Sequence, residues 1–306
     1  MPTKIEWCDE TWNPIRTADS GYHCTKLSEG CQNCYAERMN KRFGNLKPFD
    51  NAPAEFVLNQ KQLHKPLHWK KPRRVFVQSM GDLFHEDVPF MVIAKVFRIM
   101  HTSKHHTFMV LTKRPKRMKE FIEWFIGPEW RGAWPQEYPH VWLGVTCENQ
   151  TRADERIPVL LQIPAAKRFV SVEPMLGTVD LIQAIDVAIE INGEIEVPTV
   201  DGIGQWLKWV ICGGETGPGA RPMHPDWVRS IRDQCRDAGT PFFFKQWGDW
   251  APIPTKDVPV IGCADGGRFH DGPNPSRGLA MYRVGKKAAG YLIDGQEWRQ
   301  FPEVEI

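Results

Sequence analysis

The sequence predicts an α/β fold in which parallel strands alternate with helices as a full or partial β/α barrel. Six short apolar runs rich in β-branched or aromatic residues recur between residues 75 and 246, and helix-length amphipathic stretches separate most of them. The runs are almost continuously apolar, as strands become when helices cover both faces of a sheet. Polar or charged residues follow directly after each run. That matches the C-terminal rim of a parallel sheet, where active sites assemble. A doubly wound open sheet is the alternative arrangement of the same elements.

In chain order, a first strand is expected near 11–15, then a cysteine-rich loop and a helix over 33–43. Strands follow at 75–80, 107–112, 141–146, 168–173, 208–213 and 241–246, with helices over 89–100, 115–126, 150–162 and 224–238. Pro89, Pro115 and Pro225 fall near helix starts, where a missing N–H costs little, and Gly239 sits where the last helix should stop. A hairpin across Asn192-Gly193 is expected over 190–197, inside an insertion at about 185–205. Residues 1–250 form the barrel domain in this reading. Residues 251–306, where the pattern dissolves into Gly, Pro and short mixed runs, form an irregular C-terminal extension that reads as a lid.

Composition excludes several classes. The 306 residues are 42% apolar and 25% charged, ordinary for a globular protein. No run of eighteen apolar residues marks a membrane span, and the N-terminus lacks the apolar core of a secretory signal. The expected compartment is the cytoplasm. A net charge of +2 does not itself point to nucleic acid. Two local runs are strongly basic, 64–74 with Trp69 inside it and 113–119. They fit phosphate contact and base stacking, and equally the solvated ends of loops and helices. Among thirteen tryptophans, Trp134, Trp247 and Trp250 lie beside or near Gly or Pro, which fits packing under long loops.

The most informative cluster is Cys24, Cys31 and Cys34, three thiols within eleven residues. Cys8, Cys147, Cys212, Cys235 and Cys263 are scattered and read as ordinary small apolar residues. Three neighbouring thiolates can converge on one soft metal centre. An iron–sulfur cube held by three cysteines keeps one iron open. Zinc is the competitor, because Cys31 and Cys34 have Cys-x-x-Cys spacing and His23 or Cys8 could complete four ligands. A disulfide is disfavoured in a reducing compartment. Cys34 stands at the start of the expected helix, where the dipole favours a thiolate, and Gly30 allows the turn that brings Cys24 back to the pair.

The strand tips supply the remaining candidates: Gln78 and Asp82; Thr112, Lys113 and Arg114; Thr146, Cys147, Glu148 and Asn149; Ser171 and Glu173; Gly213, Gly214 and Glu215; Lys245 and Gln246. Each taken singly reads as well for helix capping or loop solvation. Taken as a ring they read as a site, with Lys245, Gln246, Arg114 and Gln78 facing substrate.

Several motifs together resemble one family. They are Thr11-Trp12-Asn13-Pro14, Cys24 with Ser28 to Arg38, Gln78 to His85, Leu143 to Glu148, Ser171 to Leu176, and Cys212-Gly213-Gly214-Glu215. From about Trp7 to Trp250 the chain is similar to the three-cysteine-motif proteins of phages and mobile elements, divergent relatives of the radical S-adenosylmethionine enzymes. The resemblance implies a barrel with a 4Fe–4S cluster on Cys24, Cys31 and Cys34. S-adenosylmethionine would bind the open iron and be cleaved to a 5′-deoxyadenosyl radical by an electron from an external donor. It places cofactor contacts among Asp82, Thr146, Glu148, Ser171, Glu173, Gly213, Gly214 and Glu215, with Asp82, Glu173 and Glu215 all open to receive the methionine amine. It also implies C–H functionalisation or isomerisation of a modified nucleobase in phage or mobile-element DNA, in the host cytoplasm. One departure stands out: six residues separate Cys24 from Cys31, where the commonest radical-enzyme spacing has three. The competing class is a zinc-stabilised nucleic-acid-binding or adaptor protein. A hydrolase lacks a nucleophile motif such as Gly-x-Ser-x-Gly.

Overall fold

The apolar runs of the sequence become the strands of a parallel sheet in the computed structural model, which describes residues 3, 5–128, 134–192, 200–252, 262–263 and 281–303. The elements in order are β1 (Glu10–Trp12), β2 (Ile15–Thr17), α1 (Tyr35–Phe43), β3 (Phe56–Leu58), α2 (Gln60–Leu63), β4 (Arg74–Val77), α3 (Phe90–Thr102), β5 (Thr107–Thr112) and α4 (Pro115–Ile126). They continue with β6 (Val141–Thr146), α5 (Gln150–Leu161), β7 (Lys167–Val172), α6 (Leu181–Asn192), α7 (Val200–Trp206), β8 (Trp209–Gly213), α8 (Pro225–Asp237) and β9 (Phe242–Gln246).

Seven strands form one sheet in the order β1-β4-β5-β6-β7-β8-β9. The order follows the chain, and β1–β4, β4–β5, β5–β6 and β8–β9 pair in parallel. Sequential parallel strands joined largely by helical crossovers are the connectivity of the β/α class. Every residue of β6 and of β8 is buried, which is why those runs carry no polar alternation. Among the described residues no helix is long and apolar enough to cross a membrane.

Two elements differ from expectation. The first strand stops at Trp12, because Pro14 lacks the N–H that would continue the ladder. Ile15–Thr17 instead pairs antiparallel with β3. The hairpin expected over 190–197 is helical as far as Asn192, and residues 193–199 lie outside the described residues. The Asp180 carboxylate accepts from the N–H of Ile182 and of Gln183 at 2.9 and 3.1 Å. This N-cap starts α6, whose apolar Leu181, Ala184 and Ile185 recur at helical spacing and are buried.

The chain divides into two units. The first holds residues 1–146, 156–169 and 303–306, and the second 147–155 and 170–302. In the first, an aromatic cluster of Phe84, Phe97, Phe121, Phe125, Trp134 and Tyr138 is buried, with Phe97 against Phe121 at a centroid distance of 4.9 Å. In the second, the described end of the C-terminal extension lies along β9: Phe244 N–H donates to Trp298 O at 2.6 Å and Gln300 N–H to Phe242 O at 3.0 Å. It covers an edge whose backbone groups need partners. The rest of the expected lid, 253–261 and 264–280, lies outside the described residues. Trp134, Trp247 and Trp250 are all buried, and the Trp250 indole donates to Ala220 O at 2.6 Å.

Gly144 in β6 marks a close approach. A Cβ there would stand 2.6 Å from the Phe169 ring, and Phe169 is buried with no room to retreat. Gly144→Ala is expected to lower unfolding free energy by about 1–3 kcal/mol through overpacking, read as a fall in the urea midpoint. A midpoint equal to the parent's would show that β6 and β7 can part at this layer without cost.

Candidate metal centre and the rim residues

The cysteine loop is anchored before it reaches its first thiol. Asn40, on the buried face of α1, accepts the Tyr22 N–H at Oδ1 at 2.9 Å. Its Nδ2 donates to Asn45 Oδ1 at 2.7 Å and to Lys47 O at 3.0 Å. One buried amide thus ties the start of the loop to the helix that closes it and to the segment just beyond that helix. The next turn, Glu29–Cys31, is a single 3-10 turn, and Ser28 Oγ lies 3.8 Å from Cys31 Sγ.

Cys34 is the N-cap of α1, as the sequence predicts, although its thiol makes no capping hydrogen bond. Burial pushes its pKa up, while the N–H groups of Glu37 and Ala36 and the cation of Lys113 act the other way. Burial also pushes the Cys24 thiol up to about 12, with the Asp82 carboxylate adding to the rise and Arg114 opposing it. Cys34 interacts electrostatically with both Cys31 and Cys24. Among the described residues no group of three or more His, Cys, Asp or Glu side chains is close enough to hold a metal ion.

Arg114 is the fixed point of this unit. Its side chain is almost fully buried and donates through Nη1 to Asp82 Oδ2 at 3.1 Å and to Cys24 Sγ at 3.6 Å. Nε reaches Glu86 at 2.9 Å, and Nη2 reaches Thr25. Asp82 in turn accepts from Thr112 Oγ1 at 2.7 Å, from the Phe84 N–H at 2.9 Å and from the Lys113 N–H at 3.2 Å. Burial lowers the Arg114 pKa, but the Asp82, Cys24 and Glu86 charges outweigh it and keep the guanidinium charged.

These contacts show what the expected substrate-facing residues bind within the fold. Arg114 is committed to the loop through Asp82, Glu86, Cys24 and Thr25. Gln78 is committed as well: its Nε2 donates to Ile15 O at 3.0 Å and its Oε1 accepts the Ile15 N–H at 3.3 Å. Asn13, which the sequence placed only within a motif, accepts the Met80 N–H at 2.8 Å and meets Ser79 Oγ at 3.2 Å. Two buried histidines lie nearby: His23, which the sequence offered as a zinc ligand, and His85, which it placed only within a motif. His85 Nδ1 accepts the Asp87 N–H at 3.2 Å, which puts the ring proton on Nε2, and that nitrogen has no partner. His23 Nε2 is likewise unpartnered, with the two ring centroids 5.5 Å apart. Burial is the main reason that the His85 pKa is lowered.

Thr146, last in β6, is buried, and its carbonyl takes an Arg156 guanidinium at 2.7 Å. In the second unit the rim is stitched by its own backbone. Cys147 N–H donates to Ser171 O, Leu176 N–H to Glu148 O, and Met175 N–H to Gly213 O, at 2.7–3.0 Å. Glu148 and Ser171 are buried. The two glycines of Gly213-Gly214-Glu215 do not open room for a ligand at both positions. A Cβ on Gly214 would stand 2.0 Å from Trp247 O, so that glycine is required by packing. Glu215 is held by Arg221, with Nη2 to Oε1 at 2.7 Å and Nε to Oε2 at 2.9 Å. Glu173 and Lys245 form an ion pair at 2.6 Å. Gln246 is buried, and its Oε1 has no hydrogen-bond partner.

The basic runs are largely consumed within the fold. Arg73 pairs with Glu10 and Arg74 with Asp9, while Arg117 caps carbonyls of His85 and Val88 and lies over the Phe90 ring. Lys119 donates to Gln162.

Three substitutions test the scaffold. Asn40→Leu should cost about 2–3 kcal/mol, because the Tyr22 N–H and Lys47 carbonyl lose a buried partner, and should expose residues 22–34 to limited proteolysis before global unfolding. Arg114→Gln should cost about 3 kcal/mol by leaving Asp82 buried without its cation. Arg114→Lys should recover part of that, since a lysine supplies the charge without the fork. If all three proteins share the parent's urea midpoint, the network is not what fixes the loop.

No curated protein and no solved structure matches the chain. Residues 2–302 match the family described as "Protein of unknown function (DUF5131)", and with nearly the whole length covered the chain belongs to that family.

Proposed function

We propose that the chain is a radical S-adenosylmethionine enzyme in which Cys24, Cys31 and Cys34 hold a 4Fe–4S cluster. What supports this reading is the hydrogen bond from Arg114 to Cys24 Sγ, with the electrostatic interaction of Cys34, the N-cap of α1, with Cys24 and Cys31. The donor set fits. All three proposed ligands are sulfur, which soft metal centres prefer, and burial together with the Asp82 charge keeps Cys24 protonated when no cation is bound. A bound cation removes that obstacle, because metal binding and thiol deprotonation are one coupled event. The N–H groups of Ala36 and Glu37 and the Arg114 guanidinium then stabilise the thiolates. When bound, such a cluster with S-adenosylmethionine would supply a 5′-deoxyadenosyl radical for hydrogen abstraction.

The residues of the chain have more limited tasks. Arg114 and Asp82 hold the loop, and Asn40 holds the helix that presents Cys34. Of the carboxylates considered for a ligand amine, Asp82 and Glu215 each already bind an arginine. Glu173 is paired with Lys245. Isomerisation or C–H functionalisation of a modified nucleobase remains part of the proposal as the substrate class.

Protein prepared without oxygen should hold about four iron and four sulfide per chain. Cys24→Ala, Cys31→Ala and Cys34→Ala should each lose them, and Cys235→Ala should not. Stoichiometric zinc without sulfide in the same anaerobic material would replace this reading with the structural-zinc one.

A further inference from the structure

The positive charge of the chain is concentrated in one stretch. Residues 56–119 carry fourteen Lys and Arg against Asp82, Glu86 and Asp87, a net of +11, whereas the whole chain is +2. Internal partners consume part of that charge, as at Arg73, Arg74, Arg114 and Arg117. What they leave is grouped. Lys65, Lys70, Lys71 and Lys104 make no ion pair among the described residues, and the last three are exposed. The backbone that bears them is fixed at several points. The Trp12 indole donates to Gln62 O at 2.7 Å, the His106 imidazole to Pro66 O at 3.1 Å and the His105 imidazole to Trp69 O at 2.9 Å. That last bond brings the chain at Lys104 beside the chain at Lys70, since each adjoins one of its partners. The Trp69 ring is engaged within the fold, with Lys65 Nζ at 5.5 Å and the Arg73 guanidinium at 5.4 Å from its centroid.

We propose that this cationic face, at the N-terminal ends of β4 and β5, docks the phosphate backbone of a nucleic-acid duplex without reading its sequence. The inference takes up only the nucleic-acid part of the reading above and makes no use of a metal. Lysines on a fixed backbone suit point-charge contact with phosphates, and each contact releases a counterion. A Trp69 ring already covered by cations is not offered to unstacked bases, which selects a duplex over a single strand. An anionic membrane calls for apolar side chains that insert, and within residues 60–73 Leu67 is the one large apolar side chain that is exposed. An acidic protein fits less well, because lysine is depleted from protein interfaces. Position makes the face an anchor. Residues 65–73 lead into β4 and residues 103–106 into β5, whose first residues Arg74 and Thr107 are paired. Gln78 and Arg114 follow the other ends of the same strands, roughly 15 Å away along the sheet. A duplex held here is gripped at the end of the sheet opposite the rim.

The test titrates the full chain against short labelled duplexes of two unrelated sequences, each as DNA and as RNA, by fluorescence anisotropy. The two sequences should bind equally, and the tighter of the DNA and RNA arms names the source of the duplex. Log affinity should fall against log salt with a slope of about −3. Lys70→Ala with Lys71→Ala should weaken binding about tenfold at low salt and flatten the slope by about 2. Lys104→Ala, a second and independent variant, should flatten it by about 1. Lys113→Ala with Lys116→Ala, at the other end of β5, should leave affinity and slope at the parent's values. Cys24→Ala should do the same, so the docking surface and the cluster fail on separate assays. Absence of duplex binding at low salt overturns the proposal. So does a loss confined to Lys113→Ala with Lys116→Ala, which would put the nucleic acid at the rim. Phosphatidylserine vesicles that bind the parent more tightly than either duplex, and lose it with Lys70 and Lys71, overturn it in favour of a membrane surface.

Discussion

A buried guanidinium organises the candidate centre. Arg114 leaves β5 and, within one side chain, meets the Asp82 carboxylate, the Cys24 sulfur and Thr25. Removing a charge from water is costly, and the cost is met only if partners of opposite charge and good geometry surround it. Asp82 provides that partner because it is itself fixed by Thr112, Phe84 and Lys113. The position of Cys24 is therefore set by strand ends, although Cys24 belongs to a loop. A loop held in this way can present a ligand with the accuracy that a site built on regular elements has.

The same network governs the electrostatics of the thiols. Burial raises Cys24 and Cys34 together, so a pair of free thiolates would not persist there. Asp82 makes this worse at Cys24, and Arg114 makes it better. The balance changes when positive charge arrives, since a bound cation inverts the local preference for the protonated form. On the proposed reading, burial that opposes free thiolates favours selectivity. Only a strongly bound, thiophilic cation repays it.

The fold was legible because its strands are buried on both faces and carry that fact in composition. β5 and β6 match their predicted limits, and α4 does as well. The failures are local and have physical causes. Pro14 ended β1 early, and the Asp180 cap extended a helix across part of a region that Asn192-Gly193 had marked as a turn. The site was legible only in its sulfurs. Cys24, Cys31 and Cys34 announce themselves by spacing, whereas Asn40 looks like any polar residue in an amphipathic helix until its three partners are known. Gln78 and Arg114 were placed correctly just beyond strand ends, but their internal partners were not legible, because spacing gives a residue's address and not its hydrogen bonds.

Gly213-Gly214-Glu215 makes the same point from the side of motifs. Two glycines before a carboxylate fit close approach to a ligand amine, and the sequence offered no way to reject that. In the fold, Gly214 is glycine because the Trp247 carbonyl occupies the place of its Cβ, and Glu215 is spent on Arg221. The motif is doing the work of packing and of an internal ion pair. Glu173 and Lys245 carry no such signature, yet theirs is the rim ion pair left partly open to solvent, with side-chain exposures of 21% and 14%. A partly exposed pair can exchange its internal contact for a zwitterionic ligand at small desolvation cost, which a buried and fully bonded carboxylate cannot do. Accessibility of the bonded partners, more than the presence of a recognisable string, therefore decides which carboxylate can take on a ligand.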